Sequence, residues 1–358
     1  MGKKEKLKKD FDLIIKLICP ELRSDIVSIV IYGSYGRSEG AFYEKNGKIF
    51  TYNDYDILLV VSSVISHDEL LNLKYTLTQK IDVRWIDISQ MANGKLVELK
   101  PSIFNYDLKY GSKVIWGDQS ILNKIRIGRF AIIPASEIEV LYFTRLYTFI
   151  GSLSKDAFDN GVKEENSRFF RYQMCKAIFS IIDCELILLN QYSFSYKKKV
   201  ELISVLKPEL NNISRWALEE KLNPSDVSMN GDEVKDLYSS VIEIFRESMF
   251  KGISKCYNVE IKSTKRHIFY FYFSRKHVFL LLKGLIKKRA YADYMKFCKL
   301  NFAQSYIMEC YFSENKLHNY MLNYVHNQLM NYTDTGSIES YDWNESRVAL
   351  CQFIDQNR

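Results

Sequence analysis

The chain has 358 residues, of which 47% are hydrophobic and 26% charged, with only five prolines and fifteen glycines. This composition is typical of a globular protein with a sizeable core, and it excludes collagen-like, linker-dominated and disordered chains. The formal net charge of +7 indicates an anionic partner without naming one. Most of that surplus lies in 262–299, where eleven Lys or Arg accompany a single acidic residue, Asp293.

The N-terminal segment predicts a helix followed by a buried strand. Residues 1–18 have apolar side chains at helical spacing, and Pro20 is expected to end the helix. Residues 27–32 form a short β-branched run, as in a strand buried on both faces. The run stops at Gly33 and Ser34, a turn signal.

The next sixty residues continue the mixed α/β pattern. Two strand-like runs flank Asn46 and Gly47, and this spacing predicts a β-hairpin. Strands are then expected at 54–61 and at 80–88, with a helix at 70–79 between them.

Beyond residue 136 the periodicity becomes helical. Residues 268–273 are an ambiguous aromatic run, and no other segment there resembles a strand. Helices are predicted at 137–150, 167–190, 232–249, 276–302 and 314–332.

The junction after the first strand has the chemistry of a phosphate site. Glycine permits close approach of the backbone, Ser34 supplies a hydroxyl, and a strand that opens into a short helix or turn leaves N–H groups pointing outward. Arg37 can add a charge-assisted contact to the same phosphates.

Two carboxylates open the following strand. Asp54 and Asp56 are two residues apart, so both side chains leave the same strand face and repel each other. A Mg²⁺ ion removes this repulsion and binds both carboxylates and substrate phosphates. Asp82, on a neighbouring strand, is the preferred third carboxylate of a two-metal site, and Asp87 is the alternative.

These residues together resemble a known superfamily, the nucleotidyltransferases that share their catalytic domain with DNA polymerase β. The hallmark is a hydrophobic strand, Gly-Ser, and then Asp-x-Asp leading a second hydrophobic strand, and it covers about residues 25–90. The segment 33–39 also resembles the Gly-Ser-x-Ala-Arg-Gly-Glu form of minimal and antibiotic-modifying members. The chain departs from compact members in the length of 35–53, and the predicted hairpin accounts for most of the excess.

The resemblance implies a role for each motif residue. Gly33 and Ser34 would hold the nucleoside triphosphate, Asp54 and Asp56 would ligate both metal ions, and Asp82 would orient or deprotonate the acceptor hydroxyl. In this superfamily a lysine of the helical domain often reaches the nucleotide phosphates. Lys176 is therefore a candidate, with a surface lysine on an amphipathic helix as the alternative reading.

The expected fold class is α+β, with a mixed-sheet nucleotidyltransferase domain at 1–128. A helical bundle at 129–255 would form the wall for nucleotide and acceptor, and a basic, aromatic-rich helical region would occupy 256–358. The expected activity is Mg²⁺-dependent transfer of a nucleoside monophosphate from an NTP, with ATP as the guess, to a hydroxyl or phosphate of a small molecule. The alternatives are nucleotidylation of a protein or RNA end, and a regulatory module that binds nucleotide without turnover.

Two further features concern partners and location. The interleaved cations and aromatics of 262–299 are compatible with nucleic acid or a membrane surface, but inward packing of the rings is favoured. Charges inside 268–286 argue against a transmembrane helix there. The odd count of seven cysteines, without a secretory signal, predicts reduced cysteines and a cytoplasmic protein.

Overall fold

The computed structural model describes residues 2–22, 25–83, 85–152, 154–274, 277–278, 288–310 and 351. These residues form two compact units. The first contains Met1–Pro134 and Leu189–Ser225, and the second contains Ala135–Leu188 and the described residues beyond Ser225. This division differs from the expected boundaries at 128 and 255, because the chain leaves the first unit and later returns to it.

Within the described residues the regular elements alternate at first and are helical later. The strands are β1 (Ile26–Tyr32), β2 (Phe42–Lys45), β3 (Lys48–Thr51), β4 (Tyr55–Val61), β5 (Ile86–Ala92) and β6 (Lys113–Gly117). The α-helices are α1 (Lys3–Leu22), α2 (Gly33–Gly36), α3 (His67–Lys80), α4 (Ile103–Tyr110), α5 (Ser136–Ser152), α6 (Lys155–Asn160), α7 (Glu164–Leu188), α8 (Tyr196–Leu206), α9 (Asn211–Leu222), α10 (Gly231–Tyr257), α11 (Thr264–Phe273) and α12 (Lys288–Cys310). A mixed sheet in the N-terminal part followed by helices confirms the α+β fold class.

A four-stranded mixed sheet forms the centre of the first unit, in the order β5-β4-β1-β6. Strand β1 is antiparallel to β4 and β6, whereas β4 and β5 are parallel. The apolar runs of β1 and β4 occupy the two central positions, where both faces of a strand are buried. The register places Asp56 of β4 opposite Tyr32 of β1 on one side and opposite Asp87 of β5 on the other.

Helix α1 contributes its apolar face to the core of this unit. Ile14 and Ile18 are fully buried in the same hydrophobic cluster as Ile29 and Ile57 of the sheet. The expected end at Pro20 was wrong, since the helix continues to Leu22. Proline removes only one N–H from the helical hydrogen-bond ladder, and the helix ends within a turn of it.

The strand expected at 80–88 is present, but its predicted start was wrong. Helix α3 extends to Lys80, Ile81 packs into the core with 3% of its surface exposed, and β5 begins only at Ile86. Residues 81–83 are not part of a strand, and Ile81 is apolar because it is buried at the end of α3.

The hairpin around Asn46 and Gly47 is confirmed as β2 and β3, a separate two-stranded sheet. The Tyr52 N–H donates to the Ala41 carbonyl at 3.0 Å, and the Ala41 N–H donates to Asn53 Oδ1 at 2.7 Å. These contacts close the base of the insertion, so β1 and β4 still pair directly.

In the second unit, helices α5, α7 and α10 pack against one another. Their interface includes the fully buried rings of Tyr142, Phe149 and Phe245. The helices expected within 137–249 are confirmed, and the ambiguous run 268–273 is helical. The helix expected at 314–332 lies outside the described residues, as does part of 262–299. None of the described helices combines the length and apolar character needed to cross a bilayer.

Candidate active site

The site begins where β1 ends. Gly33 has φ of +65° and starts the single turn of α2 directly after the strand. A Cβ at this position would lie 1.9 Å from Asp56 Oδ2. Glycine is therefore required twice, for the left-handed backbone and for the close approach of the Asp56 carboxylate. Ser34 is buried within α2, and its carbonyl accepts the Glu39 N–H at 2.9 Å.

Two carboxylates, Asp54 and Asp87, act on a third, Asp56, near the start of β4. Asp54 is exposed and immediately precedes the strand, Asp56 is partly buried within it, and Asp87 is the β5 partner of Asp56. Burial raises the pKa of the Asp56 carboxyl to about 7, and the negative charges of Asp54 and Asp87 act in the same direction. The structure thus concentrates negative charge where the sequence placed a cation site.

The third carboxylate is where the expectation requires correction. Asp82 is exposed in the turn between α3 and β5, so it does not lie on a strand beside Asp56. Asp87 does lie on that strand. Its Oδ1 accepts hydrogen bonds from Trp85 Nε1 at 2.9 Å and from Lys74 Nζ at 3.2 Å, and 52% of its side chain remains exposed.

The Arg37 guanidinium has partners other than an incoming phosphate. Nη1 lies 3.2 Å from Asp107 Oδ2, and Nη2 donates to the Tyr196 hydroxyl at 2.8 Å. Only 8% of the side chain is exposed. Burial lowers the pKa of Arg37. The opposite effect of nearby acidic groups is larger and raises the pKa above its usual value; these groups are Tyr196, Asp107, Tyr192 and Glu39. Arg37 is thus held in an internal ionic network, and its contact with phosphates stays a prediction.

Glu39, to which the sequence assigned no role, connects the Gly-Ser segment to α8. Its Oε1 accepts hydrogen bonds from Ser195 Oγ at 2.8 Å and from the Lys197 N–H at 3.2 Å, and its Oε2 accepts the Tyr196 N–H at 2.9 Å. A carboxylate at a helix N-terminus satisfies free N–H groups and complements the helix dipole. Glu39 thus secures helix α8 against the segment that follows Gly33.

Two buried lysines of this returning segment were also missed. Lys199 and Lys221 expose 2% and 4% of their surface, and their ammonium groups lie 5.6 Å and 5.3 Å from the centre of the Tyr196 ring. The positive charge of Lys221 acts on the Asp56 carboxyl and lowers its pKa, against the effect of burial. Their spacing in the sequence gives no signal of this, because only the return of 189–225 to the first unit brings them there.

Lys176, the lysine that the sequence favoured, lies on α7 in the second unit. Its ammonium group is 5.1 Å from the centre of the Tyr172 ring. Its contact with nucleotide phosphates stays a prediction.

The donor set suits Mg²⁺ bound in part by substrate. No group of three or more His, Cys, Asp or Glu among the described residues forms a ready metal cage. Mg²⁺ usually binds one or two carboxylates together with substrate phosphates, and it prefers oxygen ligands. The exposed Asp54 and the partly buried Asp56, whose repulsion a cation would relieve, fit that mode of binding.

No protein-family model matches the chain, and no curated protein is significantly similar to it. One similar solved structure is spectinomycin adenyltransferase AAD(9) from Enterococcus faecialis, determined with ATP and spectinomycin. The TM-score is 0.43 at 12% sequence identity, and the match covers 67% of this chain and 99% of that chain. A similarity of this degree shows neither the family nor the activity of this chain, so the proposed function rests on the residues of the site.

Proposed function

We propose that this protein is a Mg²⁺-dependent nucleotidyltransferase that moves a nucleoside monophosphate from an NTP to an acceptor oxygen of a small molecule. One observation carries the proposal. The turn after β1 lies against the carboxylate of Asp56, so that a Cβ on Gly33 would overlap it, and Asp54 and Asp87 flank that carboxylate. A backbone turn able to hold phosphate and a carboxylate able to bind a metal ion are thereby in contact.

The triphosphate side of the site consists of the turn and a buried cation. Gly33 and Ser34 would present backbone N–H groups to phosphate oxygens. The sequence predicted that Arg37 and Lys176 contact the phosphates. Lys221, whose charge acts on Asp56, would supply positive charge to them as well. A buried ammonium group interacts strongly with an anion, because little water screens it.

The carboxylate side would hold the cation. Asp54 and Asp56 would bind Mg²⁺, which, when present, neutralises phosphate charge and stabilises the entering and leaving oxygens. An oxygen of the acceptor attacks the α-phosphorus in line. The bond between the α-phosphorus and the oxygen that bridges it to the β-phosphate breaks, and pyrophosphate leaves. Asp87 would accept the acceptor proton, since its carboxylate is more than half exposed and lies beside Asp56 in the sheet.

Exposed rings near these carboxylates support a small-molecule acceptor. Trp85 is 49% exposed, and its indole N–H donates to Asp87. Phe104 is 45% exposed and packs edge-on against Tyr32, the residue paired with Asp56, at 5.6 Å between ring centres. Apolar rings beside a few polar groups are typical of small-molecule sites.

The proposal is tested with the double variant Asp54→Asn/Asp56→Asn and the control Asp68→Asn, a carboxylate on α3. Two quantities are measured: binding of each Mg–NTP by calorimetry, and pyrophosphate release with a panel of hydroxylated and phosphorylated small molecules. We expect the double variant to lose release by about 10³-fold or more without any loss of stability, since neutral amides remove the repulsion between the two carboxylates. The proposal would be refuted by undiminished release of pyrophosphate from that variant. It would also be refuted if the wild-type protein bound no NTP in the presence of Mg²⁺.

A further inference from the structure

A groove distinct from the carboxylate site runs along α1 in the first unit. We call it the α1 groove. It lies between one face of α1, the segment 38–42 and the first residues of β6, and its volume is about 900 Å³. This volume is enough for a ligand of drug size or larger. Neither Asp54 nor Asp56 lines it, so the nucleotide site does not account for it.

The α1 groove is strongly basic. Its lining includes the exposed side chains of Lys3, Lys4, Lys8, Lys113 and Lys197. Only two acidic residues accompany them, Asp12 and Glu39, and the Glu39 carboxylate already accepts hydrogen bonds at the start of α8. The cations come from three separate elements, so they are distributed along the groove, as contacts to several phosphates require.

The walls of the groove are apolar and partly aromatic. Phe11 of α1 and Phe42 of β2 both line it with partly exposed rings. The ammonium group of Lys3 lies 5.6 Å from the centre of the Phe42 ring. Rings flanked by cations can stack on bases while the cations neutralise phosphates.

The shape of the groove selects among anionic partners. A lipid surface cannot reach rings that line a concavity, and the bases of a duplex are stacked and paired inside it. A flexible single strand can place phosphates on the lysines and bases on the rings at once. We propose that the α1 groove binds single-stranded nucleic acid without strong sequence preference, in addition to the nucleotide held at the carboxylate site.

The experiment uses the full chain and fluorescence anisotropy with labelled 12-nucleotide RNA and DNA single strands, titrated at several salt concentrations. The variants are Lys4→Gln/Lys8→Gln and Phe42→Leu. The matched control is Lys95→Gln/Lys124→Gln, two exposed lysines of the same unit that do not line the groove.

We expect the Lys4/Lys8 variant to bind about tenfold more weakly. The slope of the logarithm of the binding constant against the logarithm of salt concentration should become less negative by about 1.4, the value for two lost phosphate contacts. Phe42→Leu should weaken binding by about fivefold or more through lost stacking. The control should stay within about twofold of wild type, since its lysines lie outside the groove. The Asp54→Asn/Asp56→Asn variant should bind the strand as wild type does, which separates this inference from the proposed activity.

Equal affinities in the groove variants and the control would overturn the inference. Loss of binding in the lysine variant but not in Phe42→Leu would show that the groove recognises phosphate alone, and would exclude stacked bases. Displacement of the strand by phosphatidylserine vesicles or by a phosphorylated peptide at equal phosphate concentration would likewise assign the groove to another class of partner.

Discussion

Replacing Gly33 with alanine tests whether the turn and the carboxylates form one site. Its φ of +65° costs a residue with a side chain about 1–2 kcal/mol. The new Cβ would also stand 1.9 Å from Asp56 Oδ2. Since real Cβ contacts are almost never shorter than 3.0 Å, the carboxylate must move by about 1 Å. A displacement of about that size typically costs an enzyme about 10²-fold in rate.

Gly47 provides the matched control. Its φ is +71°, and a Cβ there would meet nothing within 4 Å. Gly47→Ala should therefore lower the free energy of unfolding in urea by about 1–2 kcal/mol, and Gly33→Ala by at least that much, because its Cβ also overlaps Asp56. Only Gly33→Ala should lower kcat/KM for pyrophosphate release, by about 10²-fold. If the two variants were equally active, the contact between the turn and Asp56 would have no part in the chemistry.

Three further predictions follow from the same unit. Asp87→Asn should reduce kcat by about 10²-fold or more as a lost proton acceptor, while Asp82→Asn stays within about twofold; the opposite ranking in steady-state kinetics would reinstate Asp82. Lys221→Met should raise KM for the NTP by about tenfold, the value of one charge-assisted contact, whereas Lys207→Met, which alters a lysine paired with Glu209 at 3.7 Å, leaves KM unchanged. An unchanged KM in both would remove Lys221 from the phosphate side. Glu39→Gln should lower the free energy of unfolding by about 1.5–3 kcal/mol, because its amide group directs a donor at the N–H groups of α8; wild-type stability in urea would contradict the capping role.

The local part of the site could be predicted from the sequence because covalent geometry determines it. Two residues separated by one leave the same face of a strand, so Asp54 and Asp56 were paired by spacing alone. A β-branched run ending at Gly33 predicted a buried strand and a turn, and both are present. Asn46 and Gly47 predicted the hairpin for the same reason, since few residues adopt the backbone of such a turn.

The partners of these residues were decided by tertiary structure. The residue beside Asp56 depends on where β5 begins, and burial of Ile81 at the end of α3 moves that start to Ile86, which selects Asp87. The Arg37 guanidinium donates hydrogen bonds to Asp107 and Tyr196 only because segments distant in the chain fold against it.

The same holds for the charges of the returning segment. Glu39 and Ser195 are 156 residues apart, and no spacing rule joins them. Lys221 reaches the neighbourhood of Asp56 because Leu189–Ser225 belongs to the first unit. The strand, the turn and the paired carboxylates could be predicted because the geometry of neighbouring bonds sets all three. The third carboxylate and the buried cations were decided by packing between segments far apart in the chain, because burial and ionic pairing arise only once those segments meet.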